Sequence, residues 1–192
     1  MRNIIVTVLL SALISLPVLA KDKQQFKVEG FYLGAGLGNT NIYSSGEAKW
    51  NVDDSSGKIY GGYQFNPIVA IEADFTRFGS IIIDSVDAEH ALWTTSVAAN
   101  LGYTFPNRLR LFSKLGLSVV SSNPISNDNI DIDKLGVKIG FGMEYALDYL
   151  PRMNLRLAYE NDIFAMEEKV GNTTNDELID VSSFYIGASY KF

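Results

Sequence analysis

Apolar residues recur at every second position through most of this chain, and a period of two belongs to β-strands. Leu135, Val137, Ile139, Phe141, Met143 and Tyr145 alternate with Gly136, Lys138, Gly140, Gly142 and Glu144. Met153, Leu155, Leu157 and Tyr159 lie opposite Arg152, Asn154, Arg156 and Glu160. Leu109, Leu111, Leu115, Leu117 and Val119 oppose Arg110, Lys114, Gly116 and Ser118. Comparable runs cover Trp93 to Phe105, Val69 to Phe75 and Phe184 to Phe192, with a looser one over Ile59 to Phe65. The stretch FYLGAGLGN, Phe31 to Asn39, completes the set. Its G-x-G-x-G spacing fits neither a dinucleotide loop nor a Walker loop. Phe31, Leu33, Ala35 and Leu37 form its apolar face, and Gly34, Gly36 and Gly38 with Tyr32 form a face where space is short.

Eight strands result, and their connections alternate in kind. Short turns hold Asn66-Pro67, Pro106-Asn107 and Asp148 to Pro151, while long polar segments run over 40–57, 79–90, 121–134 and 161–180. This predicts an all-β fold: an eight-stranded antiparallel up-and-down transmembrane β-barrel, with strands of about 9–12 residues crossing the bilayer at a tilt.

A soluble ligand-binding barrel also alternates, with its apolar side inward. Here Lys58, Glu72, Asp74, Arg110, Lys114, Lys138, Glu144, Arg152, Arg156, Glu160 and Lys191 all fall opposite the apolar face. That apolar face carries aromatics near the strand ends, as a membrane-interface girdle does. An eight-stranded barrel has an interior only wide enough for side chains, so glycine, small polar and charged residues fit inside and the large apolar ones belong outside.

The first residues agree. MRNIIVTVLLSALISLPVLA has one basic residue, a long apolar run and a small-residue ending, so 1–20 reads as a secretory signal peptide cleaved after Ala20. A short segment, 21–28, then precedes the barrel domain, 29–192. Beyond the signal no apolar run reaches the roughly 18 residues of a membrane-spanning helix. The absence of cysteine excludes disulfides, Cys-based metal sites and a lipoprotein anchor.

The pieces GGYQFNP (61–67), AIEADF (70–75), SKLG (113–116), GMEYAL (142–147), LRLAYEN (155–161) and GASYKF (187–192), in this order, resemble the N-terminal barrel domain of the outer membrane protein A family. The resemblance spans nearly all of the chain after the signal and implies residence in the outer membrane of a Gram-negative bacterium. The peptidoglycan-binding domain of that family has no counterpart in the sequence. The aromatic ending, with Phe192 last and Tyr190 two before it, matches the signature read by the outer-membrane assembly machinery. The family's interior acid–base pairs, which plug or gate the lumen, map to Glu72, Lys114, Glu144 and Arg156. Asn100 stands where the family has a further lysine, and Ala158 where it has a further glutamate. Independently of any family, these four residues lie about four to six positions from the short turns, which at ~3.3 Å per residue puts them in one layer of the lumen.

Chemistry beyond this is sparse. His90 is the only histidine; Asp87, Glu89 and Ser85 are near it in sequence, without a recognisable acyl-transfer pattern. No catalytic residue, cofactor or metal site is assigned, and the chain is not read as an enzyme. The four long segments hold 15 acidic residues and three lysines, a net −12. Such loops repel nucleic acid and other polyanions. They suit divalent cations bridging to lipopolysaccharide phosphates, since Mg²⁺ and Ca²⁺ prefer oxygen ligands. The functional expectation is a monomeric barrel, structural or surface-interactive, with at most a narrow charge-gated pore. Its partners are outer-membrane lipid and lipopolysaccharide. The alternative is an adhesin or immune-evasion barrel that binds host or lipopolysaccharide components through its acidic extracellular loops.

Overall fold

The computed structural model describes residues 28–44, 50–52, 55–83, 88–124, 132–170 and 173–192. The signal peptide and most of the segment 21–28 lie outside these residues. Nine strand segments follow one another: β1 Gly30–Ser44, β2 Trp50–Val52, β3 Ser56–Gln64, β4 Val69–Ile83, β5 Ala88–Thr104, β6 Leu109–Pro124, β7 Ile132–Ala146, β8 Met153–Val170 and β9 Thr173–Lys191. β2 and β3 both pair with β4, through Val52↔Ile81 and Ser56↔Phe78, so they are two pieces of one stave. Eight staves therefore pair antiparallel with their sequence neighbours, and β1 closes on β9 from Tyr32↔Lys191 to Ser44↔Ile179. The fold is a closed eight-stranded antiparallel barrel.

The register fixes its dimensions. Starting at Gly34, the paired residues run Tyr60, Asp74, Ser96, Ser118, Gly136, Phe164, Ile179 and back to Ser44, ten positions on from the start. Eight strands with this stagger must tilt by roughly 40° and enclose a lumen that side chains fill.

Burial assigns the faces. Leu37, Leu115, Leu117, Phe141 and Leu135 are exposed on the outer wall, whereas Lys58, Glu72, Asp74, Lys114, Lys138, Arg156 and Glu160 are buried within. One correction applies to the inner face as read from sequence. Arg152 is exposed, because β8 starts only at Met153. Lys191 is half-buried at the rim, donating to Val28 O and Gln64 Oε1. Around the rim that carries the short turns, aromatic rings meet edge to face on the lipid side. These are Phe31 with Tyr63 at 4.7 Å, Tyr63 with Phe65 at 5.0 Å, Tyr103 with Phe105 at 4.9 Å and Tyr190 with Phe192 at 5.2 Å.

The long polar segments differ from expectation. They are largely strand: β8 and β9 form a ladder out to Val170↔Thr173, and β6 and β7 pair out to Ser122↔Ile132. Most strands run 15 to 19 residues instead of 9–12. The physical reason is that alternation reports two different environments on the two faces. Above the lipid both faces are wet, so the hydrophobic pattern stops while backbone pairing continues.

Inside, the buried apolar residues form two clusters, the lower interleaved with the charges and the upper beyond them. Tyr32, Tyr60, Ala70, Phe112, Ala158 and Tyr185 lie low in the lumen. Phe78, Leu92, Val120, Phe164, Ile179 and Val181, with Ile42 against them, lie toward the outer end.

Candidate functional site: a charged lumen

The glycines of β1 are where the site begins. A Cβ on Gly34 would stand 2.5 Å from Tyr60 Cζ, and one on Gly36 would stand 2.8 Å from Tyr185 Cδ2. Gly38 would put a Cβ 2.6 Å from Tyr185 Cβ. Three bare positions on one strand thus give two tyrosine rings room inside a narrow barrel. Those rings and Tyr32 then organise the charges. The Arg156 guanidinium stacks on the Tyr60 ring, 3.9 Å from its centroid. Tyr185 Oη donates to Glu160 Oε1 at 2.7 Å, and Tyr32 Oη donates to Glu72 Oε2 at 2.7 Å.

Arg156, on β8, is 1% exposed and is the hub of the lower tier. Its Nη1 and Nη2 grip Glu72 of β4 through both carboxylate oxygens, at 2.9 and 2.7 Å, a fork geometry that Lys could not reproduce. Its Nε and Nη2 also donate to Glu144 Oε1 at 2.8 and 2.6 Å. Arg110 Nη1 lies 3.5 Å from the other Glu144 oxygen. Lys114 of β6 bridges Glu72 to Glu160, joining the lower tier to an upper one. In that upper tier Lys58 pairs with Glu160 and, at 3.0 Å, with Asp74. Lys138 reaches Asp74 and Asp162, each at 3.1 Å. Ser96 Oγ donates to Asp74 Oδ2 at 2.7 Å.

The connected set among the described residues is therefore five acids (Glu72, Asp74, Glu144, Glu160, Asp162) and five bases (Lys58, Arg110, Lys114, Lys138, Arg156). Their formal charges cancel, which is what burial in a narrow lumen demands. The four residues singled out in the sequence, Glu72, Lys114, Glu144 and Arg156, lie together in this set. Joined to them are Lys58, Asp74, Arg110, Lys138 and Glu160, which the sequence also places on the inner face, together with Asp162 and the three tyrosines. Asp162 is a correction: the sequence places it in a polar outer segment, but it is buried beside Lys138 inside the barrel. Asn100 is fully buried beside Lys114 in register, and neither atom of its amide has a protein partner among the described residues.

At the rim Tyr190 and Phe192 face the lipid side. Tyr190 Oη accepts from Arg152 Nη1 at 3.2 Å, and the Phe192 N–H donates to Phe31 O at 2.9 Å, the last backbone bond of the closing seam. His90 lies near the outer end of β5, opposite Ile81 and Pro124.

A tilted barrel with a lipid-facing apolar wall, an aromatic rim and an ionic interior is the architecture of small outer-membrane proteins. The family model of the outer membrane protein β-barrel domain matches residues 6–192. The chain belongs to this family. It is 27% identical over 175 residues to outer membrane protein A of Klebsiella aerogenes and 26% identical over 176 residues to that of Shigella flexneri. Each alignment covers 84% of this chain and 48% of the relative, so the chain spans about half the length of these curated relatives. Among solved structures it superposes on Neisserial surface protein A with a TM-score of 0.63 at 20% identity, covering 85% of this chain and 97% of that one. OprG of Pseudomonas aeruginosa gives 0.62 at 16% identity, covering 89% and 99%. Ail of Yersinia pestis, solved in complex with the heparin analogue sucrose octasulfate, gives 0.57 at 16% identity, covering 86% and 100%. These likenesses establish the fold, and the family places the protein in the bacterial outer membrane.

Proposed function

We propose that this barrel is an envelope-structural, surface-presenting protein whose lumen is closed at rest, with at most a narrow pore opened by exchange of ion-pair partners. The observation that carries this is the neutral network of five acids and five bases, nearly all withdrawn from solvent and contributed by β3, β4, β6, β7 and β8. An ion passing through would have to displace Arg156 from Glu72 and Glu144, or Lys114 from Glu72 and Glu160. Planar-bilayer recording tests it: the wild-type protein should show no sustained conductance, only rare small steps. Sustained large steps would overturn the reading.

A second reading, contact with lipopolysaccharide or a host surface, is favoured by the paired extension of β8 and β9 from Ala165↔Leu178 to Val170↔Thr173. This extension carries Glu167, Glu168, Asp176 and Glu177, so divalent cations or basic protein surfaces are its natural partners and polyanions are not. Comparing a deletion strain with wild type for envelope leakage and host-cell attachment together separates the two readings. In both, Tyr190 and Phe192 serve recognition by the assembly machinery, and the barrel works as a monomer.

A further inference from the structure

We propose that the layer formed by Phe78, Leu92, Val120, Phe164, Ile179 and Val181 is a dry septum that closes the lumen toward the cell exterior independently of the ion network. This rests on the closed-lumen reading above and locates its outward seal. The six side chains are each no more than 6% exposed and come from β4, β5, β6, β8 and β9, with Ile42 of β1 packed against them. Six of the eight staves thus contribute to one layer. It offers no side-chain donor or acceptor, so an ion reaching it would lose hydration with nothing in exchange, and apolar constrictions exclude water and ions by dewetting.

The backbone makes room for this layer. A Cβ on Gly136 would meet Phe164 Cβ at 3.3 Å and Ser118 Oγ at 3.0 Å, so the bare glycine lets the Phe164 side chain lie inward beside it. One inward position below, the same staves present Thr94, Ser118, Asp162 and Ser183, all buried and polar. The change from apolar to polar is completed within a single step. The layer also lies where the outer wall of β6 and β7 passes from Val119 and Leu135 to Ser121 and Asp133, the level at which lipid gives way to water. A layer serving stability alone could stand anywhere along the lumen; this one stands at the entrance. The barrel thus has two barriers in series, one apolar and one ionic.

The chain has no cysteine, so a single introduced thiol reports alone. The test uses proteoliposomes with the outer hairpins facing the bath, an orientation established by protease cleavage. A charged, membrane-impermeant methanethiosulfonate is added outside. Lys134→Cys, at the outer margin of the layer, should react readily. Ser118→Cys, just beneath it, should react roughly tenfold more slowly or less. Adding Phe164→Ser should bring Ser118→Cys close to the Lys134→Cys rate, whereas adding Arg156→Met should leave it protected. Each variant is first checked for folding by its gel shift on heating, and Leu92→Ala replaces Phe164→Ser if that variant does not fold. Equal rates at both positions with Phe164 intact, exposure by Arg156→Met alone, or protection that survives the opened septum would each overturn the proposal. Sustained conductance of the wild type would instead overturn the closed-lumen reading, so the two failures are distinct.

Discussion

Replacing Arg156 by methionine should destabilise the barrel more than any other single change in the lumen. The guanidinium makes four charge-assisted hydrogen bonds, two to Glu72 and two to Glu144, and stacks on Tyr60. Methionine keeps much of the stem and removes the charge, leaving five acids facing four bases. Breaking a buried pair costs about 3–5 kcal/mol. Glu72 retains Lys114 and the Tyr32 hydroxyl, and Glu144 retains Arg110, so the lower end, about 3 kcal/mol, is expected. Arg156→Lys restores the charge without the fork and should recover only part of this. The pairing itself is tested by a double-mutant cycle. Glu72→Gln with Arg156→Met removes one acid and one base together, so its cost should fall short of the sum of the singles by about 1–3 kcal/mol. Lys114→Met with Glu72→Gln should couple as well, because Lys114 also bonds Glu72. Urea unfolding in lipid vesicles, read by the cold gel mobility of the folded barrel, supplies the free energies. Additive costs for both cycles, or a loss below about 1 kcal/mol for Arg156→Met, would show that these charges are separately hydrated.

Four further outcomes are expected. Gly34→Leu should cost about 1–3 kcal/mol by overpacking against Tyr60, and Tyr60→Ala in the same chain should recover part of it, measured by the same unfolding assay. Deleting Phe192 should lower outer-membrane yield more than deleting Lys21, because it removes the bond to Phe31 O at the seam; equal yields by immunoblot would contradict this. Mass spectrometry of outer-membrane fractions should find a mature N-terminus at Lys21, and retention of Met1 in the inner membrane would contradict the signal peptide. Glu167 and Asp176 are directly opposite in the β8–β9 ladder, so Glu167→Lys should strengthen that hairpin by a few tenths to about 1 kcal/mol, seen as slower amide exchange there.

What the sequence made legible is the parity of each strand where one face meets lipid and the other the lumen. Glu72, Lys114, Glu144 and Arg156 could be placed inward on that ground alone. Which of them touch could not, because Arg156 meets Glu72 across the lumen from β8 to β4, and that contact depends on the ten-residue stagger of the closed sheet. Asp162 and Phe164 were hidden for another reason. They follow Asn161 in a stretch where apolar and polar residues no longer alternate, so nothing in the pattern shows the lumen continuing past Glu160. Parity with Ile186, Ala188 and Tyr190 puts Phe184 outward and so Tyr185 inward, but that the Tyr185 hydroxyl reaches Glu160 of β8 could not be read from it. The glycines of β1 announced crowding, but the rings that crowd them lie on β3 and β9, far away in sequence.

The seam between β1 and β9 has a kinetic consequence. Tyr32 pairs with Lys191 and Ser44 with Ile179, so closure joins the first and last strands of the sheet across nearly the whole domain. Every other stave meets its successor through a local hairpin and can form early. The seam alone demands a contact of very high sequence separation, and such contacts govern the slow steps of folding. Until β9 arrives, β1 exposes an unpaired edge, and Gly36 and Gly38 lie bare where Tyr185 later covers them. A nascent chain held in that state would be a template for its own kind, which makes prompt delivery of the last strand the step on which productive folding turns.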